Sequence, residues 1–422
     1  MDQQATESRR AVTAATVGNV LEWYDFSVYA YFAGTIGRKF FPSGDPTAEL
    51  LATFLVFGLG FIVRPLGGIV IGRIGDTHGR RTALVLTILL MAVGTAMIGL
   101  LPTYAQIGIA APLLLLVARL LQGFSAGGEW GGSTAFMVEW APPGRRGWTG
   151  SFQQMSVAGG LLLGSAIGAF LSTVVPAETM EAWGWRVPFL FGAVLGFVGQ
   201  YLRRNVEETP AYRAAAQQEA KPEAEEGTSN WSLALRAFLF TVHWTVSYYI
   251  VLTYLQSFTQ TQLGLGRAAA LWANAIGLVV LIALIPLAGR MSDSIGRKPL
   301  MLASCAAFVV LPWPLFKWML GAPGFGTVVA VHVILSIGIA LFSGPGPAAI
   351  AEIFPTRSRS LWMTASYALA VAIFGGFAPY IATWLIANTG DPVSPTWYVI
   401  VAAIVSGLTI ARLPETAHRP LA

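Results

Sequence analysis

The chain has 422 residues, of which 55% are apolar and only 11% are charged. Soluble proteins carry about 25% charged residues, so this composition and the mean hydropathy of +0.62 exclude a soluble globular protein and indicate an integral membrane protein. The net charge of +5 is spread over short loops between apolar segments, which argues against a basic face for nucleic acid. The single cysteine, Cys305, excludes a disulfide framework.

Apolar segments long enough to cross a bilayer, which takes about 20 residues, occur twelve times in the chain. They lie roughly at 12–36, 50–72, 82–101, 107–138, 148–175, 187–203, 233–261, 268–289, 299–320, 326–351, 361–387 and 396–412. The first follows a polar segment without a small-residue cleavage site, so we expect a retained helix rather than a signal peptide. The sequence therefore predicts an all-α integral membrane protein with twelve transmembrane helices.

Two polar motifs indicate that the chain consists of two related halves. The loop from Gly72 to Arg81 returns from Gly289 to Lys298 with glycine, aspartate and basic residues in register, at an offset of 217. A second motif, Glu-x-x-Pro followed by arginines, begins at Glu139 and again at Glu352, at an offset of 213. Matched pairs of this kind are typical of internal repeats, which many transporters contain.

The positions of lysine and arginine predict the orientation, because these residues concentrate on the cytoplasmic side of membrane proteins. With both termini inside, eighteen of them fall in cytoplasmic loops and five fall outside. Residues 205–230 form the one long polar connection, which we interpret as a cytoplasmic linker between six-helix bundles at 1–204 and 231–422. We therefore expect a multi-pass protein of the plasma (inner) membrane with both termini in the cytoplasm.

The apolar segments of the first half accept charged residues at Glu22, Asp25, Arg64 and Arg119. A charge at the centre of a transmembrane helix costs about 2.5 to 3.5 kcal/mol on insertion scales. Such residues usually face the interior of a helix bundle and mark a functional site. We expect these four to form the functional core.

Helical spacing places further side chains beside these charges. Asp25 and Tyr29 share one face of the first helix, and Arg119, Gln122 and Glu129 share one face of the fourth. We expect both faces to line a cavity rather than to meet lipid. In a simpler interpretation, Glu129 and Glu22 only neutralise nearby arginines in structural ion pairs.

Several motifs carry a family resemblance that covers essentially the whole chain. The doubled G-x-x-x-D-x-x-G-R-[KR] loop, the twelve apolar segments and the central linker resemble the major facilitator superfamily. Shorter motifs resemble its metabolite:proton symporters: Gly18-Asn-Val-Leu-Glu22-Trp-Tyr-Asp25-Phe26, Arg64-Pro-Leu-Gly-Gly, Arg119-Leu-Leu-Gln122-Gly and Gly184-Trp-Arg-Val-Pro-Phe. Members of that family carry citrate, 2-oxoglutarate, other dicarboxylates, shikimate, betaine or proline.

The resemblance implies two pseudo-symmetric six-helix bundles whose first, fourth, seventh and tenth helices line a central cavity. It gives the second half these candidate substrate contacts: His243, Trp244, Tyr248, Tyr249 and Ser343. A histidine in such a position can instead be an ordinary hydrogen-bonding group between helices. The resemblance also implies that Asp25 and Arg119 take part in proton coupling, with Glu22 as the alternate proton carrier and Arg64 as a second partner for substrate.

The repeated loops have two interpretations. They can be static turns in which the aspartates cap helix ends and the glycines permit a tight turn. The resemblance implies instead a network that latches the cytoplasmic side shut when the cavity opens outward. The candidate residues are Gly72, Asp76, Gly79, Arg80, Arg81, Glu139 and Arg145 in the first half and Gly289, Asp293, Gly296, Arg297, Lys298, Glu352 and Arg357 in the second.

Together these features predict a secondary active transporter that imports a small organic acid with protons by alternating access. Arginine suits a carboxylate because its planar fork donates two parallel hydrogen bonds. The alternative is proton- or sodium-coupled uptake of a zwitterionic osmolyte such as betaine or proline, for which Trp130, Trp244 or Trp272 could supply cation-π contacts. A transporter-fold receptor that signals without flux is a third, less favoured interpretation.

The remaining expectations concern partners and coupling. We expect no enzyme activity, no cofactor and no metal site, since the chain shows no Ser/His/Asp set, metal cluster or phosphate loop. The partners are a small metabolite and the lipid bilayer, and we expect the protein to function as a monomer. For the coupling step, we expect deprotonated Asp25 to occupy Arg119 and protonation to release the arginine for substrate.

Overall fold

The computed structural model describes residues 19–78, 80–127, 129–139, 141–142, 144–204 and 230–419, and these residues are helical nearly throughout. The helices of the first half are 19–31, Ala33–Phe40, Pro46–Ile62, Arg64–His78, Arg80–Leu100, Tyr104–Ile107, Ala110–Ser125, Glu129–Glu139, Arg146–Val174, Ala177–Ala182 and Val187–Arg204, with a 3-10 turn at Gly184–Arg186. Of the predicted linker, 205–229 lies outside the described residues, and Asn230 begins a helix.

The second half contains fewer and longer helices. They are Asn230–Tyr249, Leu255–Gln262, Arg267–Ile295, Arg297–Val310, Pro312–Gly321, Phe325–Ser343, Gly346–Ala351, Thr356–Ala370, Ala378–Thr389 and Pro395–Arg412, with π-helical turns at Ile250–Tyr254 and Val371–Gly375. Within the described residues, each predicted apolar segment lies on one helix or on two that continue one another. We number these segments as spans one to twelve.

Several helices are long enough and apolar enough to cross a membrane. In the described part of the chain, seven qualify: Pro46–Ile74, Arg146–Val174, Trp231–Gln262, Arg267–Ile295, Phe325–Ala351, Leu361–Thr389 and Pro395–Arg412. The pair Arg297–Val310 and Pro312–Gly321, bent by 43°, forms an eighth when it is counted as one span. Helices satisfy their backbone hydrogen bonds internally, which lipid requires. The prediction of an all-α protein with many membrane-spanning helices is confirmed.

Spans five and eight join the two halves along the most extensive helix–helix interface of the described residues. They run antiparallel, since Asp293 of span eight contacts Gly147 near the start of span five, while Leu271 contacts Ser165 further along it. We call the end of the bundle that holds Arg146 and Asp293 the basic side, and the other end the opposite side. The halves therefore contact each other from one side to the other.

The π-helical turns lie where spans seven and eleven meet the first half. The turn at Val371–Gly375 packs against the helices Asn230–Tyr249 and Pro46–Ile62. A π turn inserts a residue into a helix, is rare, and occurs often at functional sites. The position of both turns therefore favours a functional site at the interface between the halves.

Cysteine labelling tests the predicted topology, because Cys305 is the only cysteine and is buried. In a Cys305→Ser background, a cysteine at Ser43 should react with a membrane-impermeant maleimide in intact cells. A cysteine at Thr77 should react only after the membrane is permeabilised, since the two exposed positions lie at opposite ends of the bundle. Equal labelling of both positions in intact cells would contradict the twelve-span topology.

Candidate functional site

Arg119 lies at the centre of the candidate site, in the middle of span four, and its side chain is fully buried. Its Nη1 donates to Gln122 Oε1 at 2.8 Å, and its Nη2 donates to the Phe57 carbonyl at 3.5 Å. Its Cζ lies 4.4 Å from the ring centre of Tyr29 and 4.9 Å from that of Phe26. These rings stabilise the buried charge. Arg119 Nε has no hydrogen-bond partner among the described residues.

Arg64, the second predicted arginine, is also buried. Its Cζ lies 4.4 Å from the ring centre of Phe26 and 4.2 Å from that of Phe61. The nearest acid is Glu22, whose Oε1 is 3.9 Å from Arg64 Nη2. This distance is too long for a hydrogen bond, and Arg64 Nε and Nη2 have no hydrogen-bond partner within the described residues. Glu22 and Arg64 therefore form a loose ion pair, and the Phe26 ring contacts both arginines.

Tyr29 and Gln122, both predicted for this site, contact Arg119 in different ways. The Tyr29 hydroxyl donates to the Thr53 carbonyl at 3.2 Å, so the tyrosine meets the guanidinium with its ring. Gln122 accepts from Arg119 with its amide oxygen, and its Nε2 donates to Thr95 Oγ1 at 2.8 Å. Thr95 lies on span three and was not predicted, because a threonine in an apolar helix carries no signal of its own.

Asp25 lies beside Thr95 rather than directly on Arg119. The side chain of Thr95 interacts with the Asp25 carboxylate. Asp25 Oδ1 lies against Gly192 of span six, where an added Cβ would be 2.4 Å from that oxygen. Oδ1 has no hydrogen-bond partner among the described residues, and no ion pair within 4.0 Å joins Asp25 to Arg119 there. The expected direct contact is thus replaced by a connection through Thr95 and Gln122.

Tyr249 and Tyr248 bring span seven of the second half to this site. The ring centre of Tyr249 lies 5.5 Å from that of Phe61 and 6.3 Å from those of Trp23 and Phe57. The hydroxyl groups of Tyr249 and Tyr248 are buried and have no hydrogen-bond partner in the described part of the chain. Aromatic rings with a few polar atoms are typical of small-molecule sites.

Trp130, Trp244 and Tyr367 form an aromatic cluster, and the predicted residue Ser343 binds to it through Trp244. Trp244 Nε1 donates to Ser343 Oγ at 2.9 Å. Trp130 of the first half stacks on Tyr367 of the second, with ring centres 3.4 Å apart, and Trp244 lies edge-on to Trp130 at 6.1 Å. These rings contact one another and join the halves between the arginines and the basic side. The side chain of Glu129 lies outside the described residues.

Two further predicted residues lie apart from the arginines. His243 packs inside the second half, where its Nε2 is 3.2 Å from Ser304 Oγ and its backbone N–H donates to Ser406 Oγ at 2.8 Å. Its ring meets Phe308 edge-on at 5.0 Å. Trp272 is 39% exposed on span eight, and its Nε1 donates to Thr173 at 3.2 Å. Neither residue is brought into contact with Arg64 or Arg119.

Two ion pairs join the halves on the basic side. Glu139 of the first half accepts from Arg359 of the second at 2.8 Å, and Glu352 of the second half pairs with Arg146 of the first at 2.9 Å. Adding the offset of 213 to Glu139 and Arg146 gives Glu352 and Arg359, so the pairs are equivalent by the internal repeat. The same offset would have selected these arginines from the sequence.

The sequence predicts Arg145 and Arg357 for this motif, whereas the ion pairs use Arg146 and Arg359. Arg145 is exposed, and the side chain of Arg357 lies outside the described residues. Successive residues of a helix are turned by about 100°, and Arg146 rather than the adjacent Arg145 faces the partner half.

The second copy of the repeated loop also contacts the first half. The Asp293 carboxylate accepts from the backbone N–H groups of Gly147 and Trp148, both at 2.8 Å, at the N-terminus of span five. Arg297 Nη1 donates to the same carboxylate at 2.8 Å. A carboxylate at a helix N-terminus is stabilised by the free N–H groups and by the helix dipole. Asp293 thus connects the halves.

The other loop residues are placed as follows. Gly289 packs closely on the carbonyl of Gly147, Gly296 has a φ of +106° at the turn, and no atom lies within 4 Å of a Cβ built on Gly72. Gly79 and the side chains of Asp76, Arg80 and Arg81 lie outside the described residues.

The segment after span twelve completes the contacts on the basic side. The Glu415 carboxylate accepts from the backbone N–H groups of Arg297 and Lys298, at 2.9 and 3.0 Å, and so caps span nine. Partial burial raises the pKa of Glu415, but this effect is outweighed by backbone donors from Arg297, Ala417, Lys298 and Thr416, and the pKa is lowered overall. Lys298 Nζ donates to the Leu413 carbonyl at 2.6 Å.

This segment also reaches the ion pair of Glu352 and Arg146. The Thr416 hydroxyl donates to Glu352, and Arg146 donates to the carbonyls of Ala417 and Arg419. Sequence reasoning missed these contacts because the residues belong to no repeat.

On the opposite side, Glu181 connects three elements. Its Oε1 is 2.6 Å from Arg38 of span one and 3.0 Å from Arg267 at the start of span eight, and Arg267 also donates to Thr35. Burial raises the pKa of Glu181, but the hydrogen bonds and charge of the arginines outweigh it and lower the pKa overall. The halves therefore have an ionic contact on this side too.

The two acids of the repeat provide a matched test of the contacts on the basic side. The Glu352 side chain is 3% exposed and contacts two arginines, whereas that of Glu139 is 37% exposed and contacts one. Removing one partner of a buried ion pair costs about 3–5 kcal/mol. The pair of Glu139 contributes less, because solvent screens its exposed carboxylate and the buried Arg359 keeps its bonds to the Ala351 and Phe354 carbonyls. Glu352→Gln should therefore lower the melting temperature of the purified protein several times more than Glu139→Gln. Equal shifts would contradict this ranking.

Two known families together match residues 11–421 of this chain. Residues 11–238 match the family described as "Sugar (and other) transporter", and residues 237–421 match "Major Facilitator Superfamily". A proline/betaine transporter of Salmonella typhimurium is 34% identical over 98% of this chain and 85% of its own length. A citrate-proton symporter of Klebsiella pneumoniae is 36% identical over 93% of this chain and 89% of its own length.

Solved structures show the same fold. The proton:xylose symporter XylE bound to 6-bromo-6-deoxy-D-glucose superposes with a TM-score of 0.79, covers 99% of this chain and 98% of its own, and is 18% identical. A second D-xylose-proton symporter structure gives a TM-score of 0.77 at 21% identity, over 98% of this chain and 99% of its own. The fold of two six-helix bundles is therefore confirmed.

Proposed function

Because the chain belongs to the major facilitator superfamily and to its metabolite:proton symporters, we propose that it imports a small carboxylate-bearing metabolite together with protons. It is a membrane transporter and not an enzyme. The relatives divide between citrate-proton symporters and proline/betaine transporters. All of these substrates carry a carboxylate, so a single type of anion contact serves either class.

The observation that carries the proposal is the pair of buried guanidinium groups at the interface of the halves. Arg64 Nε and Nη2 and Arg119 Nε have no hydrogen-bond partner among the described residues. Buried donors that stay unpaired destabilise a structure, and charged donors do so most. A substrate carboxylate would satisfy them with charge-assisted hydrogen bonds.

The charges of the site support a substrate with few negative charges. Glu22 pairs with Arg64, and Asp25 is connected to Arg119 through two polar side chains, so the four charges cancel when both acids are ionised. Protonation of Asp25 leaves one positive charge in excess, which matches one carboxylate. A monocarboxylate, or a dicarboxylate that carries one proton, fits this balance.

A zwitterionic osmolyte is the second candidate, favoured by the aromatic wall of Trp23, Phe61 and Tyr249. Aromatic faces bind quaternary ammonium groups through cation-π contacts, and the arginines would bind the carboxylate end. A thermal-shift screen of purified protein against citrate, succinate, 2-oxoglutarate, shikimate, betaine and proline separates the two candidates. Uptake into proteoliposomes under a proton or a sodium gradient then identifies the coupling ion.

In the proposed cycle of alternating access, the ionic contacts at both ends of the bundle act as the gates. In the proposal, the basic side is cytoplasmic, and the pairs of Glu139 and Glu352 hold it closed while the opposite side opens. Glu181 with its two arginines holds the opposite side closed in the other half of the cycle. The stacked rings of Trp130 and Tyr367 add an apolar barrier between the arginines and the basic side.

Arg119→Lys tests the anion site. Lysine keeps the positive charge but loses the fork that holds a carboxylate with two hydrogen bonds. A hydrogen bond to a charged group contributes about 1.5–3 kcal/mol, so substrate affinity measured by radioligand binding should fall roughly 10- to 100-fold. Arg412→Lys, an exposed position at the end of span twelve, is the matched control and should bind as the wild type does. An unchanged affinity in Arg119→Lys would reassign Arg119 to a structural role.

Asp25→Asn tests the proton site. Asparagine imitates the protonated carboxyl, so we expect the variant to bind substrate and to exchange internal for external substrate. It should lose uphill accumulation driven by an inward pH gradient in proteoliposomes. If accumulation persists in Asp25→Asn and disappears in Glu22→Gln, the coupled proton is carried by Glu22 rather than by Asp25. Accumulation that persists in both variants would contradict coupling at this site.

A further inference from the structure

We propose that Thr95 and Gln122 transmit the protonation of Asp25 to Arg119, with rotation of the Gln122 amide as the step that frees the arginine for substrate. The inference rests on the proposed function, because it explains how a proton on one side chain changes the binding of substrate at another. Thr95 and Gln122 act here as positioning residues.

Two hydrogen bonds connect Arg119 to Thr95, and packing on span six places Thr95 beside Asp25. Arg119 Nη1 donates to Gln122 Oε1 at 2.8 Å, and Gln122 Nε2 donates to Thr95 Oγ1 at 2.8 Å. The Thr95 side chain interacts with the Asp25 carboxylate, and both lie against Gly192, where an added Cβ would be 3.1 Å from Thr95 Cγ2 and 2.4 Å from Asp25 Oδ1. Arg119, Gln122 and Thr95 are fully buried, so bulk water does not compete for these contacts.

Each group on the path has a fixed hydrogen-bonding capacity. A guanidinium only donates and an ionised carboxylate only accepts, while an amide and a hydroxyl can do both. When Asp25 is ionised, the single hydroxyl proton of Thr95 points to Asp25, and the oxygen of Thr95 accepts from Gln122. The amide oxygen of Gln122 is then left to hold Arg119. The observed contacts are those expected for an ionised Asp25.

Protonation of Asp25 reverses this order. The carboxyl gains a proton from the opposite side of the bundle and becomes a donor to Thr95. The Thr95 proton then needs another acceptor, and the Gln122 amide oxygen is the nearest one on the path. If the amide rotates to accept it, the NH2 group of Gln122 faces the donor-only Arg119. Arg119 Nη1 loses its acceptor and becomes available to a substrate carboxylate.

Packing on span three fixes the stem of the Gln122 side chain. The Cγ of Gln122 lies against Gly94 of span three, where an added Cβ would be 2.8 Å away. The stem of the side chain is therefore held, while its terminal amide rotates about the last bond. An amide rotation exchanges donor and acceptor without moving any helix, so it can precede the larger movement of the halves.

None of the described groups that face Asp25 is a second carboxylate, so Asp25 is the residue of the path that accepts the proton. On its own helix, Tyr24 donates its hydroxyl to the Pro188 carbonyl at 2.7 Å. Span four contributes Arg119, and spans three and six contribute Thr95 and Gly192, of which only the arginine is charged. Among the described residues, no second carboxylate contacts Thr95 or Gln122.

Thr95→Val and Thr95→Ser are the matched variants for the experiment. Valine keeps the shape of threonine without the hydroxyl, whereas serine keeps the hydroxyl. The probes are radiolabelled citrate and radiolabelled glycine betaine, and the one that binds the wild type more tightly is used for all variants. Its dissociation constant is measured at pH 6, 7 and 8 on the full-length protein in detergent.

One coupled proton makes affinity change by up to about tenfold per pH unit, because the coupling of proton and substrate is reciprocal. The wild type and Thr95→Ser should approach this slope, and Thr95→Val should change less than about twofold per unit. A Thr95→Val slope equal to that of the wild type would overturn the relay and leave the proposed function intact. A flat wild-type slope together with uptake that ignores the proton gradient would overturn both.

Gln122→Glu keeps the proposal testable should Thr95→Val fail to fold. Its carboxylate cannot present a donor to Arg119 and therefore holds the arginine at every pH. We expect the affinity for the probe at pH 6 to fall at least tenfold, with little change at pH 8. A variant that binds the probe at pH 6 as tightly as the wild type would overturn the relay.

Discussion

Burial of charge in an apolar helix bundle is the constraint on which this structure depends. Arg64 and Arg119 are 6% and 0% exposed, so their neighbours have to stabilise a cation. Aromatic faces, a backbone carbonyl and an amide oxygen do this instead of direct ion pairs at short distance. Weak neighbours leave a guanidinium able to change partners, which a tight ion pair would prevent. A transporter needs that property, because its site has to bind and release substrate.

At the two ends of the bundle, by contrast, charged side chains form direct ion pairs at short distance. Short ion pairs join the halves on the basic side through Glu139 and Glu352, and on the opposite side through Glu181. Ion pairs of this kind are directional and are lost together when the halves separate, so they suit a contact that is either made or broken. In the proposed function, the arginines in the middle bind substrate and the ion pairs at the two ends open and close in turn.

The internal repeat explains why both halves contribute equally to the basic side. Each half supplies one acid and one arginine, and each acid pairs with the arginine of the other half. The central site does not follow this symmetry, since its charges come from spans one, two and four of the first half, while span seven of the second half adds Tyr249. The charges of the central site thus come from one half, while its aromatic rings come from both.

The sequence by itself determined the membrane class, the twelve spans, the repeated loops and the four buried charges, because hydropathy and repeats are local properties of a chain. The tertiary structure decided which side chains meet. It turned Asp25 toward Thr95, placed His243 inside the second half, and selected Arg146 over Arg145 for the pair with Glu352. Those outcomes depend on the rotation and tilt of each helix, and a rotation of one residue, about 100°, changes every contact while leaving the hydrophobic pattern nearly the same.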